Sequence, residues 1–120
     1  MKILIVEDEP FNITVLEEMI YIFYPDMEIK SAENGKLGYE ILQNESFDLI
    51  LSDISMPVMD GYEFIAKVKN ELQLQIPAIA VTAFAITGDK EKILLAGFDD
   101  YLSKPIDMAL LEEMLQKYQV

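Results

Sequence analysis

Five apolar runs of strand length punctuate this chain, and each is followed by a stretch with helical periodicity. The runs are Ile3–Val6, Met27–Ala32, Phe47–Ser52, Ala78–Val81 and Asp100–Ser103. The helical stretches are 11–23, 35–44, 61–74, 88–97 and 107–118. In the first, Phe11, Val15, Met19 and Ile22 share a face, with Leu16, Ile20 and Phe23 beside it. Gly97 suits a helix stop, and Asp107 suits the N-cap of the last helix. Strict alternation argues a parallel sheet covered on both faces, and Ile3–Val6 and Leu49–Leu51 are continuously apolar, as doubly covered strands should be. Right-handed crossovers leave few topologies. With 120 residues and no repeat or linker, residues 1–120 make one domain.

In such sheets ligands bind beyond the carboxyl ends of the strands, so the strand ends form a candidate site. The first strand runs into Glu7-Asp8-Glu9, the third into Asp53, the fourth into Thr82-Ala83 and the fifth into Ser103-Lys104-Pro105. Each alone has a bland explanation: a solvated turn, a β-branched strand residue, a surface amine. Together they deliver acids, a hydroxyl and a lysine to one edge.

Charge dictates the chemistry. Glu7, Asp8 and Asp53 brought together repel, which raises their pKa values unless a cation intervenes. A small all-oxygen ligand set suits Mg²⁺ better than zinc or copper. A carboxylate beside Mg²⁺ can accept a phosphoryl group as an aspartyl-phosphate, a reaction that needs positioning and charge neutralisation more than covalent help. Asp53 is then the nucleophile, Lys104 the cation and Thr82 a donor to a phosphoryl oxygen.

Composition removes competitors. There is no histidine, so triads and His-ligated metal sites are excluded, and no cysteine, so no disulfide or thiolate site. The net charge is −13 and every basic residue is lysine, which argues against direct nucleic-acid binding. No segment is long enough for a signal peptide or a membrane span, which makes the cytoplasm the default location.

Four motifs in order, Ile5-Val6-Glu7-Asp8, Asp53-Ile-Ser-Met-Pro-Val-Met-Asp-Gly61, Val81-Thr-Ala83 and Asp100-Tyr-Leu-Ser-Lys-Pro105, resemble the receiver domain of two-component response regulators. The resemblance covers essentially the whole chain. It implies a flavodoxin-like fold of five strands in the order 2-1-3-4-5 with five helices. It also implies Asp53 as phosphoacceptor, Asp8 as a direct Mg²⁺ ligand, Glu7 acting directly or through water, and the Ser55 backbone carbonyl as a further ligand. Thr82 and Lys104 would bind the phosphoryl group, and Tyr101 would be a switch aromatic that follows Thr82. Lys104-Pro105 matches a bond commonly cis in the family, and Ser55 and Phe84 fall where phosphate lifetime is tuned. The Phe84 ring could shield the phosphate or pack on the neighbouring helix. Asp60-Gly61 read as a turn and helix start without chemistry.

The implied function is a phosphorylation-controlled switch. Asp53 takes phosphate from a partner histidine, on a histidine kinase or histidine phosphotransfer protein, and the surface of the fourth helix, fifth strand and fifth helix changes. Only slow loss of its own phosphate is expected as catalysis. The segments 82–89 and 96–106 look closest to receivers of hybrid kinases and phosphorelays. A small Mg²⁺-dependent phosphohydrolase is the alternative, but such enzymes place an acid two residues after the nucleophile, where Ser55 stands. A flavodoxin-like electron carrier needs a neutral loop after the first strand, and Glu7-Asp8-Glu9 is its electrostatic opposite.

Overall fold

A computed structural model describes residues 1–83 and 87–118 of the chain. The elements alternate as β1 (Lys2–Val6), α1 (Pro10–Phe23), β2 (Glu28–Ala32), α2 (Gly35–Asn44), β3 (Leu49–Ser52), α3 (Gly61–Asn70), β4 (Ala78–Thr82), α4 (Thr87–Ala96), β5 (Asp100–Ser103) and α5 (Met108–Lys117). All strand pairs are parallel, in the order β2-β1-β3-β4-β5. This is the flavodoxin-like order expected.

Successive strand residues point to opposite faces, so each central strand feeds two cores. Leu4, Val6, Ile50, Ala78 and Ala80 pack with Phe64, Ile65 and Val68 of α3 and Ile93 of α4. Ile3, Ile5, Leu49, Leu51 and Ile79 pack with Leu16 and Ile20 of α1 and Leu111 and Leu115 of α5. Full burial of each large aliphatic side chain contributes roughly 1.5–3 kcal/mol, so strands covered on both sides dominate the stability. β2, at the sheet edge, buries only Ala32.

Side chains close three helix starts. Asn34 accepts from the Leu37 amide at 2.9 Å, Asp60 from Glu63 at 2.9 Å, and Asp107 from Ala109 and Leu110 at 2.8 and 3.1 Å. Each cap stabilises by about 1 kcal/mol. α1 has no side-chain cap and starts on Pro10, whose missing N–H costs nothing there. Gly97, at φ 123°, stops α4 as expected.

Three sequence expectations are corrected. α1 turns Leu16 and Ile20 inward rather than Phe11 and Ile22, which are 76% and 65% exposed. α3 ends at Asn70, not 74, because Gln73 takes a positive φ of 54° and carries Leu72 and Leu74 onto the core without a helix. β3 starts at Leu49, and Phe47 is buried ahead of it with the Lys2 ammonium 4.8 Å from its ring centre. Phe84 lies outside the described residues.

Candidate functional site

Asp53 leaves β3 at its carboxyl end and stays almost wholly buried, 7% exposed. Its amide donates to the Val6 carbonyl at 2.9 Å, which ties the turn to β1. Its Oδ1 accepts from the Ile54 amide at 2.7 Å, and Oδ2 accepts from Lys104 Nζ at 3.0 Å. Glu7, 5% exposed, is placed by its own amide donating to Ala32 at 3.0 Å. Its Oε1 takes a second bond from Lys104 at 2.7 Å and its Oε2 one from the Glu9 amide at 3.0 Å. One ammonium therefore bridges two buried carboxylates that follow different strands, β1 and β3. Lys104 is aimed there from just beyond β5, where its amide donates to the Thr82 carbonyl at 2.9 Å and its bond to Pro105 is cis.

Asp8 completes the cluster. Glu7, Asp8 and Asp53 each offer an oxygen, all within 4.8 Å of one another. Oxygens trans across an octahedral Mg²⁺ stand about 4.2 Å apart, given bonds of about 2.1 Å. The donor set and spacing therefore fit a small hard cation.

The protonation balance points the same way. Burial pushes the Asp53 carboxyl up, the charge of Glu7 adds to this, and Lys104 and the Ile54 amide only partly offset them. Burial also pushes Asp8 up, with Glu7 and Asp53 adding to it. Glu7 goes the other way: burial opposes its charge, but Lys104 and the Glu9 amide outweigh it and hold the carboxyl below its ordinary range. Burial likewise works against charge on Lys104, yet Glu7 and Asp53 raise its pKa above the usual amine value. Three acids share one ammonium, so two of them are left short of positive charge, which a divalent cation relieves.

The other sequence candidates lie on the opposite flank. Thr82 ends β4, fully buried, and lines a cleft of about 560 Å³ with exposed Ser55, Tyr62 and Lys92 among its walls. In the β4–β5 register Ala80 pairs with Tyr101 and Thr82 with Ser103. Half-buried Tyr101 therefore lies one pleat from Thr82, on the same face of the sheet, with Lys90 Nζ 5.5 Å from its ring centre.

Sequence reasoning read Asp60-Gly61 as a turn and helix start, which α3 bears out, and gave Gly61 no part in the site. A Cβ there would stand 2.4 Å from the Asp53 carbonyl and 2.7 Å from the Ile54 Cα, and its amide donates to Ile54 at 2.7 Å. Gly61 is what lets α3 start against the backbone of the phosphoacceptor candidate. Between them the loop makes a tight three-residue turn, the Met59 amide donating to Pro57 at 2.8 Å around Val58 at φ 70°. Such γ-turns are strained, and more so with a β-branched residue at the centre.

Fold and strand-end acids together define a doubly wound α/β domain with a cation-ready aspartate site. The chain belongs to the response regulator receiver domain family, whose model matches residues 3–116. It is similar to hybrid signal transduction histidine kinase G of Dictyostelium discoideum, 38% identical over 120 residues that are 98% of this chain and 4% of that kinase. Across the first histidine kinases it matches, the chain spans between 4% and 13% of their length. Among solved structures it is similar to the receiver domain of a Pseudomonas aeruginosa sensor histidine kinase, with a magnesium ion coordinated in its active-site cleft. That match has a TM-score of 0.86, 36% identity, and covers 98% of this chain and 95% of the other. A receiver domain from Saccharomyces cerevisiae, crystallised with the histidine phosphotransfer protein Ypd1, matches at TM-score 0.90 and 26% identity over 98% and 88%.

Proposed function

We propose that the chain is a phosphoryl-accepting switch in which Asp53 takes its phosphoryl group from a partner phosphohistidine. The observation that carries this is the convergence of Asp53, Glu7 and Asp8 within 4.8 Å, with Lys104 at 3.0 Å from Asp53. An Asp53 carboxylate oxygen attacks phosphorus, the P–N bond breaks, and the electron pair stays on the leaving imidazole nitrogen, which takes a proton from solvent. Glu7, Asp8, Asp53 and the Ser55 carbonyl would hold Mg²⁺, which would supply charge neutralisation for the phosphoryl oxygens. Lys104 neutralises a further oxygen and Thr82 donates to another. Thr82 turning to the phosphoryl group vacates space that Tyr101 fills, and the surface of α4, β5 and α5 changes with it.

The donor must reach Asp53, so it covers ground beside the site. Between α1 and the loop after β5 lies an apolar groove of about 440 Å³, walled by Phe11, Val15, Met19 and Ile106 and reaching Glu7 and Lys104. We assign this groove to the phosphohistidine-bearing helix of a kinase or phosphotransfer protein. Among the described residues no helix is long and apolar enough to cross a membrane, and we place the domain in the cytoplasm. Incubation with a small phosphodonor and Mg²⁺ tests the reading: mass spectrometry should find one phosphoryl group, and none on Asp53→Asn. Stoichiometric labelling of that variant would overturn it.

A further inference from the structure

A groove of about 600 Å³ runs along the open edge of β2, between α1 and α2, and reaches Asp8 at one end. Ile13 comes from α1, and Leu37 and Ile41 from α2, so the groove has apolar walls on either side of the sheet edge. The backbone between those walls is unpaired. The Glu28 amide donates to Met1 and the Ala32 carbonyl accepts from Glu7, so residues 28, 30 and 32 direct their peptide groups at β1. By alternation, Ile29 and Ser31 direct theirs outward, where no strand follows among the described residues.

Edge strands are commonly guarded by charged side chains. Here Lys30 lines the groove with its charge already matched, because it pairs with Glu45 of the α2 C-cap, which also holds Lys2 at 2.9 Å. The end of the groove towards Asp8, Glu33 and Glu40 differs. None of these acids has a lysine within ion-pair distance among the described residues, whereas Glu45 has two. The groove is therefore charge-matched at one end and uncompensated at the other.

We propose that this edge takes a sixth strand: an extended segment of a partner protein whose alternate residues are apolar and which carries lysine or arginine towards Glu33 and Glu40. Outward N–H and C=O groups of Ile29 and Ser31 give the pairing, the apolar walls receive alternate side chains, and the acids set the charge of the occupant. A second copy of this chain fits poorly. Antiparallel pairing of β2 with itself would set Lys30 against Lys30 and bring two acidic rims together on molecules of net charge −13.

The test uses a fluorescein-labelled seven-residue peptide alternating lysine and valine, the same peptide N-methylated on alternate residues, and a glutamate–valine counterpart. Anisotropy should show saturable binding of the first, at least tenfold weaker binding of the N-methylated form, and none of the acidic one. Glu33→Lys combined with Glu40→Lys should weaken the lysine peptide at least tenfold. Amide exchange should slow at Ile29 and Ser31 by at least tenfold when the peptide is bound. Equal affinity of the methylated and unmethylated peptides would reduce the effect to charge attraction and overturn the proposal, as would absence of binding or protection confined to other strands. Self-association that protects the same two amides without peptide would replace the partner by a second copy.

Discussion

α3 and α4 flank Asp53 on the same face of the sheet, yet they are held very differently. α3 is capped by Asp60, starts on Gly61 against the Asp53 backbone and buries Phe64, Ile65 and Val68. Among the described side chains of α4 only Ile93 is buried, and Leu95 is 87% exposed. α4's contacts include two lysines lying over tyrosines, Lys90 on Tyr101 at 5.5 Å and Lys92 on Tyr62 at 4.7 Å. The difference separates two tasks. One helix fixes where the carboxylate stands, and the other can shift without disturbing it, because local opening costs least where little apolar surface is buried.

The largest test is Phe64→Ala, which should cost about 3–5 kcal/mol in denaturant unfolding, whereas Leu95→Ala should stay within about 0.5 kcal/mol. Comparable losses would erase the contrast. Gly61→Ala should cost roughly 1–3 kcal/mol by overpacking on Asp53 and slow its labelling by a phosphodonor. Normal labelling in the variant would show that α3 does not position the acid.

The metal test separates the flanks. If the affinity is about millimolar, about 10 mM Mg²⁺ should stabilise by on the order of 1.4 kcal/mol, which equal ionic strength from NaCl should not reproduce. Asp8→Asn should raise stability without metal and lose most of that response. Since the acids follow directly on β1 and β3, amide exchange in α4 should change least. Val58→Gly should gain up to about 1 kcal/mol, relief of a left-handed β-branched residue exceeding the added chain entropy. A loss would mean that the turn into α3 is unstrained. Smallest of all, Lys90→Ala and Lys92→Ala should each cost about 0.5 kcal/mol while speeding exchange along α4.

The doubly covered parallel sheet and the strand-end acids were readable because both follow from period and position: continuous apolar runs mean double coverage, and an acid after such a run has nowhere to go but the edge. The strand order came only with the resemblance carried by the four motifs. α1 was misread for the opposite reason. It carries more apolar residues than one face can bury, so periodicity could not choose Leu16 and Ile20 over Phe11 and Ile22. The early end of α3 was hidden because a glutamine, not a glycine, adopts the left-handed conformation at position 73. The packing role of Gly61 was hidden too, since it depends on which backbone comes within 3 Å of which, and no local pattern records that; Lys104 was expected beside Asp53, but not its second bond to Glu7.

The Lys104 bridge also orders events in the life of the chain. Glu7 and Lys104 are 97 residues apart in sequence, and the bridge joins the first strand to the loop beyond the last. A growing polypeptide emerging from the ribosome presents Glu7, Asp8 and Asp53 long before the amine that neutralises them. Until β5 has docked, the acids stand as an uncompensated anionic cluster, hostile to an incoming phosphoryl group. On the proposed role of Asp53, a chain cut short before the fifth strand lacks the ammonium that bridges these acids and should take no phosphoryl group.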